Sequence, residues 1–146
     1  MRRKSSFTGK ILSYTADYTV SFSEVDSMGV VWHGHYVRFL EYGREAWGKH
    51  YGMNYMDVYK HGYMIPVVQV TCDYKAPLLY EDVVRIESRF QVALSAKMQF
   101  EYDLFRLSDN KLVFTAQTTQ VFIDAQNREL QIAVPSFFEQ WINQWL

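Results

Sequence analysis

The stretch Asp26-Ser27-Met28-Gly29-Val30-Val31-Trp32-His33-Gly34-His35-Tyr36 decides how the rest of the chain is interpreted. It places an acid, a glycine and two histidines directly before a segment with helical periodicity. A helix N-terminus presents unpaired N–H groups and a partial positive charge. Such a tip can polarise a carbonyl group, and a nearby carboxylate can attack the carbonyl carbon or activate a water. The local sequence therefore suits acyl transfer, with Asp26 as the reactive acid.

From these residues alone, other roles for the same side chains stay open. A loop acid such as Asp26 also forms Asx-turns or interacts with a helix N-terminus, and His33 and His35 fit solvent-exposed residues of a helix start. One acid with two histidines is a weak metal pattern, so neither a metal nor another cofactor is expected. The sequence contains no G-x-S-x-G elbow and no Gly-rich phosphate loop.

The residues that follow predict one long amphipathic helix over residues 33–51. At 100° per residue, its apolar stripe consists of Tyr36, Phe39, Leu40, Gly43, Ala46, Trp47 and His50. Glycine in a helix interior is less favourable than alanine by about 1 kcal/mol, so Gly43 indicates the close approach of another backbone, most simply a sheet. Gly52 is the predicted end of the helix.

Outside this helix the hydrophobic period changes to two. Strands are predicted over residues 18–23, 64–74, 83–92, 98–104 and 112–124, and a terminal helix over residues 135–146. Consecutive strands with short links imply an antiparallel sheet, one face of which the long helix must cover. The expected class is α+β with a hotdog fold, a long antiparallel sheet wrapped around a central amphipathic helix. An open α+β sheet with the helix laid across it is the alternative.

Composition limits the organisation and the partners of the chain. Its 146 residues and 49% hydrophobic content fit one domain over residues 14–146 after a flexible tail over residues 1–13. A net charge of −1 argues against a nucleic-acid surface, and the lack of a long apolar run argues against a membrane span. The single cysteine, Cys72, is expected to be buried in a strand, and it fits a reducing cytoplasm because it cannot form an internal disulfide.

Residues 26–36 resemble the signature of the 4-hydroxybenzoyl-CoA thioesterase family. That pattern is an Asp, two variable residues, a Gly, an aliphatic pair, an aromatic residue and then a Tyr four residues later. The likeness runs from about residue 18 to residue 124, includes Glu41 and Arg44 on the helix, and extends to the acidic segment 80–84. The motif over residues 26–36 is the specific part of the resemblance, and the strand matches are weak.

The resemblance implies a hotdog enzyme with its active site at a dimer interface and an acyl-CoA as substrate. It implies that Asp26 is the nucleophile or the general base and that a backbone N–H near His33 is the oxyanion donor. His33 replaces a tyrosine of the hydroxybenzoyl enzymes, and its side chain is expected to hydrogen-bond the substrate or the water. The residues implied to form the substrate pocket, or to pack beside it, are Gly29, Val30, Val31, Trp32 and Tyr36.

Several alternatives and partners remain open at this point. The same fold can carry an acyl-carrier-protein thioesterase or an enoyl-CoA hydratase, and a non-catalytic acyl-CoA binder or a structural domain with Asp26 as a helix cap is also possible. A homodimer or homotetramer is expected because long strands favour pairing between sheets. The phosphates of CoA need cations, and the candidates by position are Lys75, Arg85, Arg89, Lys97 and Arg106.

Overall fold

The computed structural model describes residues 5–146, which form a five-stranded antiparallel sheet with helices packed against it and a second sheet of two short strands. In chain order the elements are β1 (Ile11–Thr19), a 3₁₀ turn (Phe22–Glu24), α1 (His35–Tyr51), α2 (Tyr55–Lys60), β2 (Tyr63–Met64), β3 (Val67–Tyr74), β4 (Val83–Gln91), β5 (Lys97–Arg106), β6 (Lys111–Val121), β7 (Ile123–Asp124) and α3 (Ser136–Asn143). Five strands form the sheet in the order β1-β4-β5-β6-β3, while β2 pairs with β7. The expected α+β hotdog architecture is confirmed.

Helix α1 packs on the sheet over β1 and β4. Phe39 and Leu40 are among its fully buried side chains, and each such burial stabilises the fold by about 1.5–3 kcal/mol. A Cβ atom added to Gly43 would lie 2.4 Å from Cγ2 of Ile86 in β4. The sheet does lie against Gly43 as predicted, but the atoms that approach it belong to the side chains of Ile86 and Ser88, whereas the prediction was a backbone. Gly52 ends α1 with a left-handed φ of 72°, also as predicted.

The first strand lies earlier in the chain than its alternating pattern predicted. It spans Ile11–Thr19 and pairs antiparallel with β4, so the predicted strand over residues 18–23 was wrong in position. The chain leaves the sheet after Thr19 because Ser21 and Glu24 close a 3₁₀ turn. In that turn the backbone N–H of Ser21 donates to the Glu24 carboxylate at 2.7 Å. A local hydrogen bond outweighs the extended preference of the apolar residues here.

The segment predicted as a flexible tail makes specific contacts with the sheet. Strand β1 begins at Ile11, inside the predicted tail over residues 1–13. The hydroxyl groups of Ser5 and Ser6 both donate to the carboxylate of Glu101 on β5, and the Ser6 bond is 2.6 Å long. Residues 1–4 lie outside the described residues, so flexibility there stays a prediction.

Strand β3 forms one edge of the sheet. The predicted single strand over residues 64–74 is broken at Ile65 and Pro66 into β2 and β3, because proline cannot donate to a strand ladder. Within the described residues β3 pairs only with β6, although β4 is the next strand along the chain. Val68 and Val70 are 58% and 39% exposed. Cys72 is also exposed, and its expected burial was wrong because α1 does not cover this edge.

Over residues 5–146, none of the helices combines the length and the hydropathy needed to cross a bilayer.

Candidate functional site

Asp26 lies in a tight loop between the 3₁₀ turn and α1. Its Oδ1 atom accepts a hydrogen bond from the N–H of Met28 at 2.8 Å. The Asp26 N–H donates to the carbonyl of Val30 at 2.9 Å, and the Gly29 N–H donates to the carbonyl of Asp26 at 3.0 Å. Gly29 has a φ of 79°, a conformation that other residues adopt only under strain. Backbone groups therefore hold this half-buried carboxylate in one place.

Hydrogen bonds on both sides join this loop to the body of the protein. The N–H of Val31 donates to the carbonyl of Leu78 at 2.8 Å, and the N–H of Trp32 donates to the carbonyl of Glu24 at 3.0 Å. Glu24 is itself 1% exposed, and its carboxylate accepts a hydrogen bond from the Tyr18 hydroxyl at 2.8 Å. The loop is thus fixed relative to β1 and to the segment that precedes β4.

Among residues 5–146, two backbone N–H groups directly before α1 have no hydrogen-bond partner in the loops and turns. The N–H groups of Val31 and Trp32 are used by the contacts above, and the N–H of His35 donates to the carbonyl of Trp32 at 2.9 Å. Within residues 5–146, the N–H groups of His33 and Gly34 find no backbone acceptor outside the regular elements. Unpaired donors at a helix N-terminus are suited to an anion or a developing oxyanion.

The ring of Trp32 lies directly over this helix start. A Cβ atom on Gly34 would be 2.2 Å from the ring, so only glycine at this position leaves room for the indole of Trp32. The rings of His33 and His35 flank the indole, with centroid separations of 5.0 Å and 5.4 Å. The indole is 48% exposed and therefore offers an aromatic surface next to the unpaired N–H groups.

The residues of the motif differ in how deeply they are buried. Val31 and Tyr36 are buried in the core at 4% and 3% exposure. The Tyr36 hydroxyl accepts a hydrogen bond from the N–H of Leu78 at 3.2 Å, and burial raises its pKa. Both side chains therefore pack in the core. Val30 is half-buried and forms an isolated antiparallel β-bridge with Leu79. Asp26 is half-buried, and the exposed residues of the motif include Gly29, Trp32 and His33.

Large apolar side chains surround the Asp26 loop, and the sequence pattern did not identify them as site residues. Phe22 and Met28 are 74% and 78% exposed, and Leu79 and Tyr80 are 47% and 50% exposed. They lie in turns and loops, where strand or helix periodicity carries no information. Exposed apolar patches of this kind mark surfaces that bind a ligand or another chain.

A cavity of about 650 Å³ lies farther along α1. It is bounded by α1, α2, the first residues of β3 and the inner faces of β5 and β6, and none of its lining residues belongs to the segment 22–36. Within one chain, the exposed apolar side chains around the Asp26 loop and this cavity are therefore separate features.

Of the five cations proposed for CoA phosphates, three are already paired. Arg89 is 3% exposed and lies 3.2 Å from a carboxylate oxygen of Asp103, so its candidacy was wrong. Arg85 and Arg106 each form an ion pair with a neighbouring aspartate. The two lysine candidates are exposed and remain the better ones.

The sequence of this chain is similar to those of known thioesterases. Residues 20–146 match the family model of the thioesterase-like superfamily. A relative from Bacillus subtilis, named "Putative acyl-CoA thioesterase YneP", is 29% identical over 108 residues, which cover 74% of this chain and 78% of the relative. The chloroplastic acyl-acyl carrier protein thioesterase ATL3 of Arabidopsis thaliana is 24% identical over 83% of this chain and 65% of its own length.

The fold has close counterparts among solved structures. The structure of a DHNA-CoA thioesterase from Staphylococcus aureus superposes with a TM-score of 0.82 at 22% sequence identity. The match covers 91% of this chain and 88% of that one. At this identity the likeness establishes the fold alone.

Proposed function

This chain belongs to the thioesterase-like superfamily, a family of thioester hydrolases, and on that premise we propose that it hydrolyses an acyl-CoA to a carboxylate and free CoA. One observation carries the proposal. The Asp26 carboxylate accepts a hydrogen bond from the Met28 N–H in the loop that leads to the helix tip, and at that tip the N–H groups of His33 and Gly34 find no backbone acceptor outside the regular elements of residues 5–146. The relative from Bacillus subtilis, by its name an acyl-CoA thioesterase, supports the same substrate class.

The helix tip supplies the electrostatic part of the reaction. The thioester carbonyl oxygen accepts hydrogen bonds from the N–H groups of His33 and Gly34, and negative charge develops on that oxygen during attack. Pre-aligned donors at a helix N-terminus stabilise this charge without reorganisation, and removing one such donor typically costs about 10²–10³ in rate. The exposed indole of Trp32 packs along the bound thioester and limits the access of water to it.

Asp26 supplies the attack by one of two routes. As a general base it takes a proton from a water, whose oxygen bonds to the carbonyl carbon as the carbon–sulfur bond breaks. As a nucleophile it bonds to that carbon itself, and a water then hydrolyses the acyl-aspartyl anhydride. In both routes the CoA sulfur leaves as a thiolate and takes up a proton. The exposed His33 ring hydrogen-bonds the substrate or the water.

We propose further that the chain acts as a homodimer formed through β3. The strand is an eight-residue edge with exposed Val68, Val70 and Tyr74, and an unpaired edge of this length is a template for pairing with another strand. Antiparallel pairing of two β3 strands about a two-fold axis extends the sheet across both copies. A homotetramer built from two such dimers is the larger alternative.

A cytoplasmic location completes the proposal. Its support is the exposed Cys72, the only cysteine in 146 residues, which a reducing compartment would keep as a free thiol.

The test is the release of free thiol from a panel of aliphatic and aromatic acyl-CoA esters, assayed together with acyl-carrier-protein esters. We expect thiol release from at least one CoA ester, unchanged by a metal chelator. Faster turnover of carrier-protein esters would favour the second candidate, an activity carried by the name of the Arabidopsis relative. Hydration of an enoyl-CoA without thiol release, or binding without turnover, would overturn the proposal.

A further inference from the structure

Glu24 carries a buried carboxylate that the mechanism above does not use. The residue lies two positions before Asp26 and is 1% exposed. Removing a carboxylate from water is costly, and an uncharged side chain of similar size would fill the same space without that cost. The charge at this position is therefore not explained by packing alone.

Two hydrogen bonds hold this carboxylate, one at each oxygen. Its Oε1 atom accepts from the backbone N–H of Ser21 at 2.7 Å, and its Oε2 atom accepts from the Tyr18 hydroxyl at 2.8 Å. Of the ion pairs formed within residues 5–146, none includes Glu24. The orientation of Glu24 therefore depends on these two donors, and a carboxylate suits both because it only accepts.

Tyr18 connects the Glu24 carboxylate to the long helix. It lies on β1, and its ring contacts the rings of Phe39 and Tyr42 on α1 at centroid distances of 5.2 Å and 4.7 Å. The hydroxyl of the same side chain donates to Glu24. One tyrosine therefore holds the body of α1 and the Glu24 carboxylate in a fixed relation.

The main chain of Glu24 connects it to both reactive parts of the site. Its carbonyl oxygen accepts a hydrogen bond from the N–H of Trp32 at 3.0 Å, and this bond closes the loop that carries Asp26. Directly after Trp32 come His33 and Gly34, whose N–H groups are proposed to hold the thioester oxygen. A single residue therefore anchors the attacking carboxylate and the oxyanion donors together.

We infer that Glu24 is a positioning residue of this site, which sets the Asp26 carboxylate and the tip of α1 at the separation that attack requires. The inference rests on the proposed function. A misplacement of about 1 Å can cost about 10²-fold in rate. Because Glu24 does not contact the substrate in the proposed mechanism, its loss should lower kcat and leave KM nearly unchanged.

Steady-state kinetics of Glu24→Gln test this role. Glutamine keeps the size of the side chain but offers an NH₂ group to one of the two donors, so we expect kcat to fall at least about tenfold and KM to change less than about twofold. Glu101→Gln is the matched control, because Glu101 on β5 is also 1% exposed and also accepts a backbone N–H and a hydroxyl. It should lose stability but keep kcat. Equal kcat values for the two Gln variants would overturn the inference.

Tyr18→Phe tests the same contact if Glu24→Gln does not fold. It keeps the ring contacts with α1 and removes one donor, so kcat should fall about two- to tenfold. Tyr14→Phe is its control, since Tyr14 lies on the same strand, roughly 13 Å away at about 3.3 Å per residue, and its ring stacks on His50 of α1 at 4.4 Å. The same kcat in both Phe variants would contradict the role of the Tyr18 bond.

Infrared spectroscopy separates positioning from a purely structural role. The probe is a ketone analogue of the best acyl-CoA, in which a methylene group replaces the sulfur so that the carbonyl is bound but not cleaved. Donors at the helix tip polarise this carbonyl and lower its stretching frequency. We expect Glu24→Gln to lose this shift and Glu101→Gln to keep it.

Two outcomes of these measurements are distinguishable. A full frequency shift in Glu24→Gln together with a reduced kcat would show that Glu24 does not act through the tip, and would overturn this inference alone. Absence of thiol release by the wild type would overturn the proposed function, and this inference with it.

Discussion

The hydroxyl of Tyr74 donates a hydrogen bond to the carbonyl oxygen of His33 at 2.7 Å. Tyr74 is the last residue of the edge strand β3, and His33 directly precedes the helix tip, so one bond joins the exposed sheet edge to the candidate oxyanion site. The Tyr74 ring also contacts the Tyr36 and Phe114 rings at centroid distances of 5.1 Å and 4.9 Å. The position of the tip therefore depends on the edge through which we propose that the dimer forms.

Removing this hydroxyl should impair turnover more than substrate binding. Tyr74→Phe keeps the ring contacts but deletes the bond to His33, and a single hydrogen bond is worth about 0.5–1.5 kcal/mol. We expect kcat to fall by up to about tenfold with a smaller change in KM. Tyr59→Phe, a half-exposed tyrosine on α2, is the control and should leave both constants unchanged. An unchanged kcat for Tyr74→Phe would show that the bond does not position the tip.

The glycine in the Asp26 loop should matter for catalysis as well as for stability. Gly29 and Gly62 have φ values of 79° and 88°, and an added Cβ atom meets nothing within 4 Å at either position. Alanine at each site should therefore lower the free energy of unfolding by about 1–3 kcal/mol through backbone strain alone. Only Gly29→Ala should also lower kcat, because only that loop carries Asp26. Equal kcat losses in the two variants would contradict this role.

The contact between α1 and β4 predicts a stability loss where helix propensity predicts a gain. Gly43→Ala favours the helix by about 1 kcal/mol, but its Cβ would lie 2.4 Å from Cγ2 of Ile86. We expect a net loss of about 1–3 kcal/mol, measured by urea unfolding. Ile86→Ala removes the clashing methyl group, so the double variant should be more stable than the sum of the two single losses. Strict additivity would show that this contact is not the cause.

The hydrogen bonds between the N-terminal segment and Glu101 on β5 should make the free energy of unfolding depend on pH. Burial raises the pKa of Glu101, but hydrogen bonds from Ser5, Ser6 and Gln117 outweigh it and lower the pKa to about 2. Since the folded-state pKa lies below the ordinary value of 4.5, this stabilisation is present above that value. It is lost as the pH falls towards 2. The wild type should therefore exceed a Ser5→Ala, Ser6→Ala variant in stability at pH 6, and this advantage should vanish near pH 2. A difference independent of pH would exclude this origin.

The sequence predicted the elements whose side chains follow a regular period. The α1 stripe, the close approach at Gly43 and the end at Gly52 were predicted from helical spacing and from glycine chemistry. The signals for these features are local, although the neighbour of Gly43, Ile86, is distant in the sequence. Strands β4 and β5 alternated clearly because their apolar side chains face the core. A regular hydrophobic period indicates which face of a helix or strand is buried.

Other features depended on contacts that a linear pattern does not contain. The Ser21–Glu24 hydrogen bond ended β1 early, and the exposure of Cys72 follows from the limited width of α1 over the sheet. The pairing of β3 with β6 instead of β4 is likewise a property of the whole sheet. Within the site, the unpaired N–H groups before α1 could be expected from the helix start. The cavity joins residues from five elements, and no local motif predicts it.

The most direct measurement is thiol release from the best acyl-CoA by Asp26→Asn, compared with Asp124→Asn. The two aspartates are matched, because each accepts a hydrogen bond at 2.8 Å from the N–H two residues later, and asparagine can still accept that bond. Both variants should unfold like the wild type and bind the substrate. We expect Asp26→Asn to lose at least about 10²-fold in kcat, the size of losing one oxyanion donor, and Asp124→Asn to lose nothing. Wild-type turnover by Asp26→Asn would show that another group performs the attack.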